Sequence, residues 1–255
     1  MKNNHTLINP VLLSLAFLVT FSVNLFAQSN TEDVASFQHA KLILEKMSKF
    51  LVSAEHFSFH AEMTEDQSYD EGRYIESEIT SDVVVQGSDK VFAEMKSDYN
   101  HKRFWYDGQK VTLLSVPANY YATSVVNGPI DDMTDFIYTN FEVNIPLVAF
   151  AFTNPYEYLM EGVTDGKYLG LNKANGVSCH HLLFIEEDVE WQIWIEVGNV
   201  IVPRKYTVTF MDDLGAPKFS ASISNWDFSA FTPDALFNFT PPFGVAEIEF
   251  VNNNE

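Results

Sequence analysis

Cys179, His180 and His181 stand side by side in GVSCHHLLF, and a thiol next to two imidazoles is the first combination in this 255-residue chain that could do chemistry. A Cys–His dyad would give an activated nucleophile, provided the base lies within hydrogen-bond reach of the thiol, about 3 Å. The stretch reads as a β-strand, in which neighbouring side chains point to opposite faces. Cys179 and His180 then face apart, while Cys179 and His181 share a face about 7 Å apart, two residues at ~3.3–3.4 Å of rise. The same alternation keeps the two histidines from ligating one metal, and a zinc site would need two or three further ligands. His39, His56, His60 and His101 supply no metal-ligand spacing. The expectation is a buried structural thiol, one histidine hydrogen-bonded in the core and the other at a surface or cavity edge. No metal and no cofactor is expected.

Carboxylates are the next candidates. Glu65-Asp66, Asp131-Asp132, Glu186-Glu187-Asp188 and Asp212-Asp213 are paired or tripled, and two carboxylates across a cleft can share acid–base work. All of them fall at expected turns or helix starts, where such groups are ordinarily solvated. The chain has no GxSxG, no HExxH, no phosphate-cradling glycine loop and no dinucleotide fingerprint. The expectation is a protein without catalytic residues. A hydrolase built on His180 or His181 is the minority alternative.

Aromatic side chains are the stronger signal, at 15 % of the chain with 22 Phe and 11 Tyr. In strands, Trp191 and Trp194 fall on opposite faces, as do Phe104 and Trp105. A sheet with one solvated face has no need of large apolar groups on both. Either helices cover the second face or that face lines a cavity. The residues expected at such a cavity or its lid are Trp105, Tyr121, Phe136, Phe141, Phe150, Tyr158, His181 and Trp194.

The elements that must position them follow from periodicity. From Val34 to Ala54, the apolar residues Val34, Phe37, Leu42, Ile43, Met47, Phe50 and Leu51 recur at mostly three- and four-residue spacings and predict one long amphipathic helix. Phe57, Phe59, Ala61 and Met63 alternate with polar residues and predict a strand with one wet face. Further strands are expected over Tyr74–Gln86 and Val91–Asp98, and Asp107-Gly108 marks a hairpin within HKRFWYDGQKVTLL. Ala118 to Val126 continues the meander until Asn127-Gly128-Pro129 breaks it. The period then lengthens. Met133, Phe136, Ile137 and Phe141 predict a helix led by Asp131-Asp132, and Pro146 and Asn154-Pro155 each open a shorter helical segment. The two-residue period returns in Tyr168–Asn172, Val177–Ile185, Trp191–Val197, Ile201–Met211 and Lys218–Asp227. Short strands joined by tight turns predict a mainly β (α+β) fold, an open antiparallel sheet or partial barrel whose inserted helices lie over one face.

Bulk properties narrow the setting. The net charge of −20, from 35 acidic and 15 basic residues, excludes nucleic acid as a partner, because phosphate binding depends on Lys and Arg. Lys2, an apolar run from Val11 to Phe26 and the ending Leu25-Phe26-Ala27 compose a secretory signal peptide over residues 1–27, with cleavage expected after Ala27 and an uncleaved anchor as the alternative. Residues 28–255 are expected to form one domain, folded from about residue 33 to 250. With Cys179 as the single cysteine, no disulfide can form within the chain, so the core itself must carry stability.

Four stretches, FWYDGQKVTLLSVPANYYA (Phe104 to Ala122), CHHLLF (Cys179 to Phe184), WQIWIEVGNVIVPRK (Trp191 to Lys205) and PKFSASISNWDF (Pro217 to Phe228), resemble a bacterial exported family catalogued as domain of unknown function 2092 and described as predicted periplasmic proteins. The likeness covers about Phe37 to Ile248 in the expected order, with small departures such as Gln109 and Lys110. That family is similar, more distantly, to the LolA/LolB lipoprotein carriers. The resemblance implies a half-open antiparallel barrel with a long N-terminal helix and small helices plugging its concave side. It also implies a periplasmic protein that holds a lipid, an acyl chain or another hydrophobic molecule without covalent chemistry; separately, a monomer is expected. An envelope protein or lipoprotein would be its macromolecular partner. An envelope sensor or protein-interaction module on the same fold is the alternative. The family carries no catalytic residues to transfer.

Overall fold

The structure, a computed structural model, describes residues 11–141, 143, 145–229 and 232–250, with side chains described from Glu32 onward. The expected signal peptide therefore lies outside the described side chains, and its first ten residues lie outside the described residues altogether.

Twelve strands form one open sheet: β1 (His56–Asp70), β2 (Arg73–Gln86), β3 (Lys90–Ser97), β4 (His101–Tyr106), β5 (Lys110–Ser115), β6 (Tyr120–Val125), β7 (Asp165–Ala174), β8 (Val177–Ile185), β9 (Val189–Glu196), β10 (Pro203–Phe210), β11 (Lys218–Asp227) and β12 (Ala246–Ile248). Their spatial order is β12-β6-β5-β4-β3-β2-β1-β11-β10-β9-β8-β7, so two meanders meet where β1 pairs with β11. All pairings are antiparallel except that of β12 along β6. The ends do not meet, and the barrel is a half-barrel.

Turn chemistry explains the tight connections. Asn175 and Gly176 both take positive φ (51° and 82°), as a two-residue hairpin turn requires. At the β4–β5 turn, Asp107 Oδ1 accepts from the backbone N–H groups of Gln109 and Lys110 at 2.9 and 2.8 Å.

One face of the sheet is roofed by helices. α1 (Val11–Val52) buries Ala40, Ile43, Leu44, Met47 and Leu51 against it, a stripe of three- and four-residue steps. Val34 and Leu42, expected on that stripe, are exposed, and Ala40 and Leu44 take the buried positions instead. Gly166 allows this close approach: a Cβ there would lie 2.7 Å from the Leu183 carbonyl and 3.0 Å from the Phe37 ring. Ser36 Oγ accepts from the Tyr168 N–H at 3.0 Å, tying α1 to the terminal strand β7.

The inserted segment supplies α2 (Ile130–Phe141), a 3-10 turn at Val148–Ala151 and α3 (Pro155–Leu159). Each is fastened by a named polar contact. Tyr106 donates its hydroxyl to the Gly128 carbonyl at 2.7 Å just ahead of α2. Asp131 accepts from the Thr153 N–H and hydroxyl, linking α2 to the 3-10 turn. α3 has Pro155 in its first turn, Asn154 capping Glu157 N–H, and the buried Ser48 of α1 accepting from Tyr156 N–H at 3.0 Å.

The opposite face is covered differently. After β11 the chain crosses it as an irregular strap: Asp234 accepts from Lys90 Nζ at 2.7 Å, Phe237 is buried, and Phe239 lies against Trp105 and Tyr121 at centroid distances of 4.9 and 4.8 Å. The strap then rounds the β6 edge through β12, and Phe250 stacks on Phe141 of α2 at 4.5 Å. Helices were one expected cover for this face; over β4 to β6 the covering element is a strap.

Candidate functional site

Alternation along the strands decides which aromatics face the helices. Phe57, Phe59, Phe104, Tyr106, Phe184 and Trp191 point into the helix-roofed core and are almost wholly buried. Where α1 ends over β1, Leu51, Phe57, Phe150 and Phe152 line a recess of about 300 Å³. Over β10 and β11 the roof is more open. There a groove of about 420 Å³ remains, floored by Tyr206, Val208, Phe210 and Phe219. One wall is Thr134, Asp135 and Tyr138 of α2; these lie away from the buried Ile130, Met133 and Ile137. The other wall is Val148 and Phe150 of the 3-10 turn with Tyr158 and Leu159 of α3. A second recess of about 330 Å³ shares Tyr158, Leu159 and Tyr206 with it and adds Glu161, Glu186 and Trp191.

Large apolar groups stay partly open here: Phe210 is 42 % exposed, Tyr158 51 % and Tyr138 63 %. Contiguous exposed apolar surface of this kind marks a binding surface or groove. Glu186 is half-buried at its end, and its Oε1 accepts from Trp191 Nε1 at 2.8 Å. Burial pushes the Glu186 carboxyl above its ordinary value, with Glu161 adding to the rise and the Trp191 bond opposing it. Burial raises the Tyr206 phenol as well, reinforced by Glu186 and Tyr158.

Of the eight residues expected at a cavity or lid, Phe150 and Tyr158 line this groove. Phe136 and Phe141 meet edge to face at 5.6 Å on α2 and pack against the core, with Phe141 held by the tail. The remaining four point the other way. Trp105 and Tyr121 lie beneath the strap, and His181 and Trp194 stack at 4.0 Å on the outer side of β8 and β9, with Lys205 Nζ 4.9 Å above the indole. The groove floor is not among those eight residues, although β10 carries a readable signal: Tyr206, Val208 and Phe210 alternate with Lys205, Thr207 and Thr209.

The reactive-looking residues have structural surroundings. Cys179 is fully buried, donates weakly to the Val177 carbonyl at 3.5 Å, and has its thiol pushed up by burial. His180 faces α1 and is hydrogen-bonded to the Tyr168 hydroxyl at 3.1 Å, and its imidazole is lowered by burial. His181 Nε2 donates to Gln192 Oε1 at 2.9 Å. The paired acids serve turns and caps: Asp66 accepts from Lys218 N–H, Asp131 holds Thr153, and Asp188 and Asp212 share a hydrogen bond that raises Asp188. Among the described residues no three of His, Cys, Asp and Glu converge as a metal site would require.

An open antiparallel half-barrel, helix-roofed on one side and retaining an apolar groove, is the class of protein these features define. The chain belongs to the family described as predicted periplasmic protein (DUF2092), whose model matches residues 40–251. In overall structure it is similar to the lipoprotein LppX of Mycobacterium tuberculosis (14 % identity, TM-score 0.46, covering 76 % of this chain and 98 % of that one). It is similar to LprF of Mycobacterium bovis at 13 % identity and TM-score 0.46, covering 77 % and 97 %. A LolA superfamily protein of Nitrosomonas europaea follows at 11 % identity and TM-score 0.38, covering 78 % and 97 %. No curated protein matches the sequence.

Proposed function

We propose that this is an exported carrier or chaperone that holds a lipid, an acyl chain or another hydrophobic molecule in the groove over β10 and β11, without catalysis. The observation that carries this reading is the groove itself: Tyr206, Val208, Phe210 and Phe219 form a floor that the chain's own helices cover only in part, with Phe210 the most open. Burial of that surface by a ligand is favourable at about 25 cal/mol per Å². The roof comes in separate short segments, α2, the 3-10 turn and α3, each with apolar residues in the core and bridged by contacts such as Asp131 to Thr153 and Ser48 to Tyr156. Export proceeds by removal of residues 1–27, and the mature chain acts as a monomer in the periplasm.

Native mass spectrometry of the protein purified gently from its own envelope, with solvent extraction of whatever co-purifies, tests this. The expected result is a discrete bound mass that extracts as lipid and is lost in the double variant Phe210→Ser/Tyr138→Ser. Both side chains are exposed enough for the fold to tolerate the change. A bare protein mass, or equal lipid recovery from wild type and variant, overturns the reading.

A further inference from the structure

The groove's charges are all of one sign. Glu65 and Asp135 stand at the main groove, and Glu161 and Glu186 stand at the adjoining recess; neither space is lined by a lysine, arginine or histidine. Some half-buried carboxylates elsewhere are paired with cations, while others, such as Asp107 and Asp131, accept from N–H and hydroxyl groups. Glu94 has Lys96, His101 and Arg103 around it, and Glu196 has Arg204. Among the described residues the groove acids have no such partner, and the one polar donor to Glu186 is the neutral indole of Trp191.

Aromatic faces accompany those acids. Tyr158 and Tyr206 line both spaces, and Trp191 lies beside Glu186. A carboxylate next to aromatic rings at the end of an apolar channel is the setting in which an ammonium group is held: the acid supplies opposite charge and the rings present their negative faces. An anionic head placed there would meet unpaired carboxylates and no counter-charge.

We propose that the groove's occupant is a cationic amphiphile: an aliphatic body lies along Val208, Phe210 and Phe219, and an ammonium head sits against Glu186 between Tyr158 and Tyr206. This rests on the carrier reading and narrows it to one ligand class. Burial of Glu186 fits the same assignment, because a half-buried carboxyl raised above its ordinary value gains most from a cation brought to it.

The test uses three chain-matched probes, decyltrimethylammonium, decanoate and decanol, each measured by displacement of a neutral solvatochromic dye from the mature protein at low salt. The expected result is that the ammonium probe binds roughly fivefold or more tighter than decanoate. Glu186→Gln should shrink that ratio, while Glu187→Gln, which removes the same charge from the neighbouring exposed turn position, should leave it as it was. Equal binding of ammonium and carboxylate probes, or tighter decanoate, overturns the cationic assignment and leaves the carrier reading standing. Equal loss of the preference in both Gln variants overturns it too, since the effect would then belong to net charge. Failure of the dye and of all three probes to bind overturns the carrier reading itself, and this assignment with it.

Discussion

Both faces of the sheet carry aromatics, and they treat them differently. On the outer face, Trp105 and Tyr121 are covered by the chain's own strap, and His181 and Trp194 cover each other beneath Lys205. On the inner face, the rings near β1 to β4 are sealed by helices, while Tyr138, Tyr158 and Phe210 stay open around a groove. Aromatic content therefore does not mark the groove; the apolar groups that stay partly exposed after folding do.

That contrast is sharpest between a sealed and an open ring of the same kind. Phe184, fully buried between Trp191 and Phe37, should cost about 3–5 kcal/mol when changed to Ala. Phe210→Ala at the groove should cost under ~1 kcal/mol and weaken lipid retention instead. Urea unfolding of the two variants checks this, and comparable losses would erase the distinction between core and groove. On the outer face, Phe237→Ala removes the buried anchor of the strap. It should cost about 2–4 kcal/mol and shift Trp105 emission to the red as the strap lifts. An unchanged spectrum would mean that the remaining contacts, Lys90 to Asp234, Phe239 and β12, hold the strap without Phe237.

A further contrast concerns charge on the outer face. Burial pushes the Glu94 carboxyl up, but hydrogen bonds from His101, Arg103 and Lys96 outweigh it and hold the group at about 2. A carboxyl depressed in the folded state stabilises it above the ordinary carboxylate range, and this contribution disappears as pH falls through about 2. Glu94→Gln should therefore cost about 1–2 kcal/mol near neutrality, discounted for partial exposure, and almost nothing in strong acid. Stability curves of variant and wild type that stay parallel down the acid range would show the cluster to be energetically idle.

Much of this architecture was legible from the residues. Phe57 to Met63 alternated cleanly because one face is buried, Asp107-Gly108 and Asn175-Gly176 named their turns, and Pro155 after Asn154 marked a short helix. Facing was the weak point. A strand read alone fixes which residues share a side, but the side that meets the helices depends on pairing across the sheet, and one step of register exchanges them. Trp105 and Trp194, expected at a cavity or its lid, lie on the side away from the helices. The polar run Lys205, Thr207 and Thr209 opposite Trp194 and Gln192 would have resolved it, had the β9–β10 register been known. The strap gave no warning because residues 232–243, TPDALFNFTPPF, have neither helical nor strand period. What they cover is set by distant partners such as Gln86, Lys90 and Trp105.

The strand order has a further consequence, for how the molecule assembles. β1 to β6 are wound from neighbours in sequence, and so are β7 to β11; each group can form as successive hairpins with little loop to close. The seam between β1 and β11, in which Ala61 opposes Ile223 and Met63 opposes Ala221, joins the first third of the chain to its last sixth. Closing a loop of that length costs only logarithmically more than closing a short one, but it must precede the contacts that repay it. The two halves are thus expected to collapse early and separately, and to become one cooperative body when that seam zips and α1, the strap and β12 dock across it.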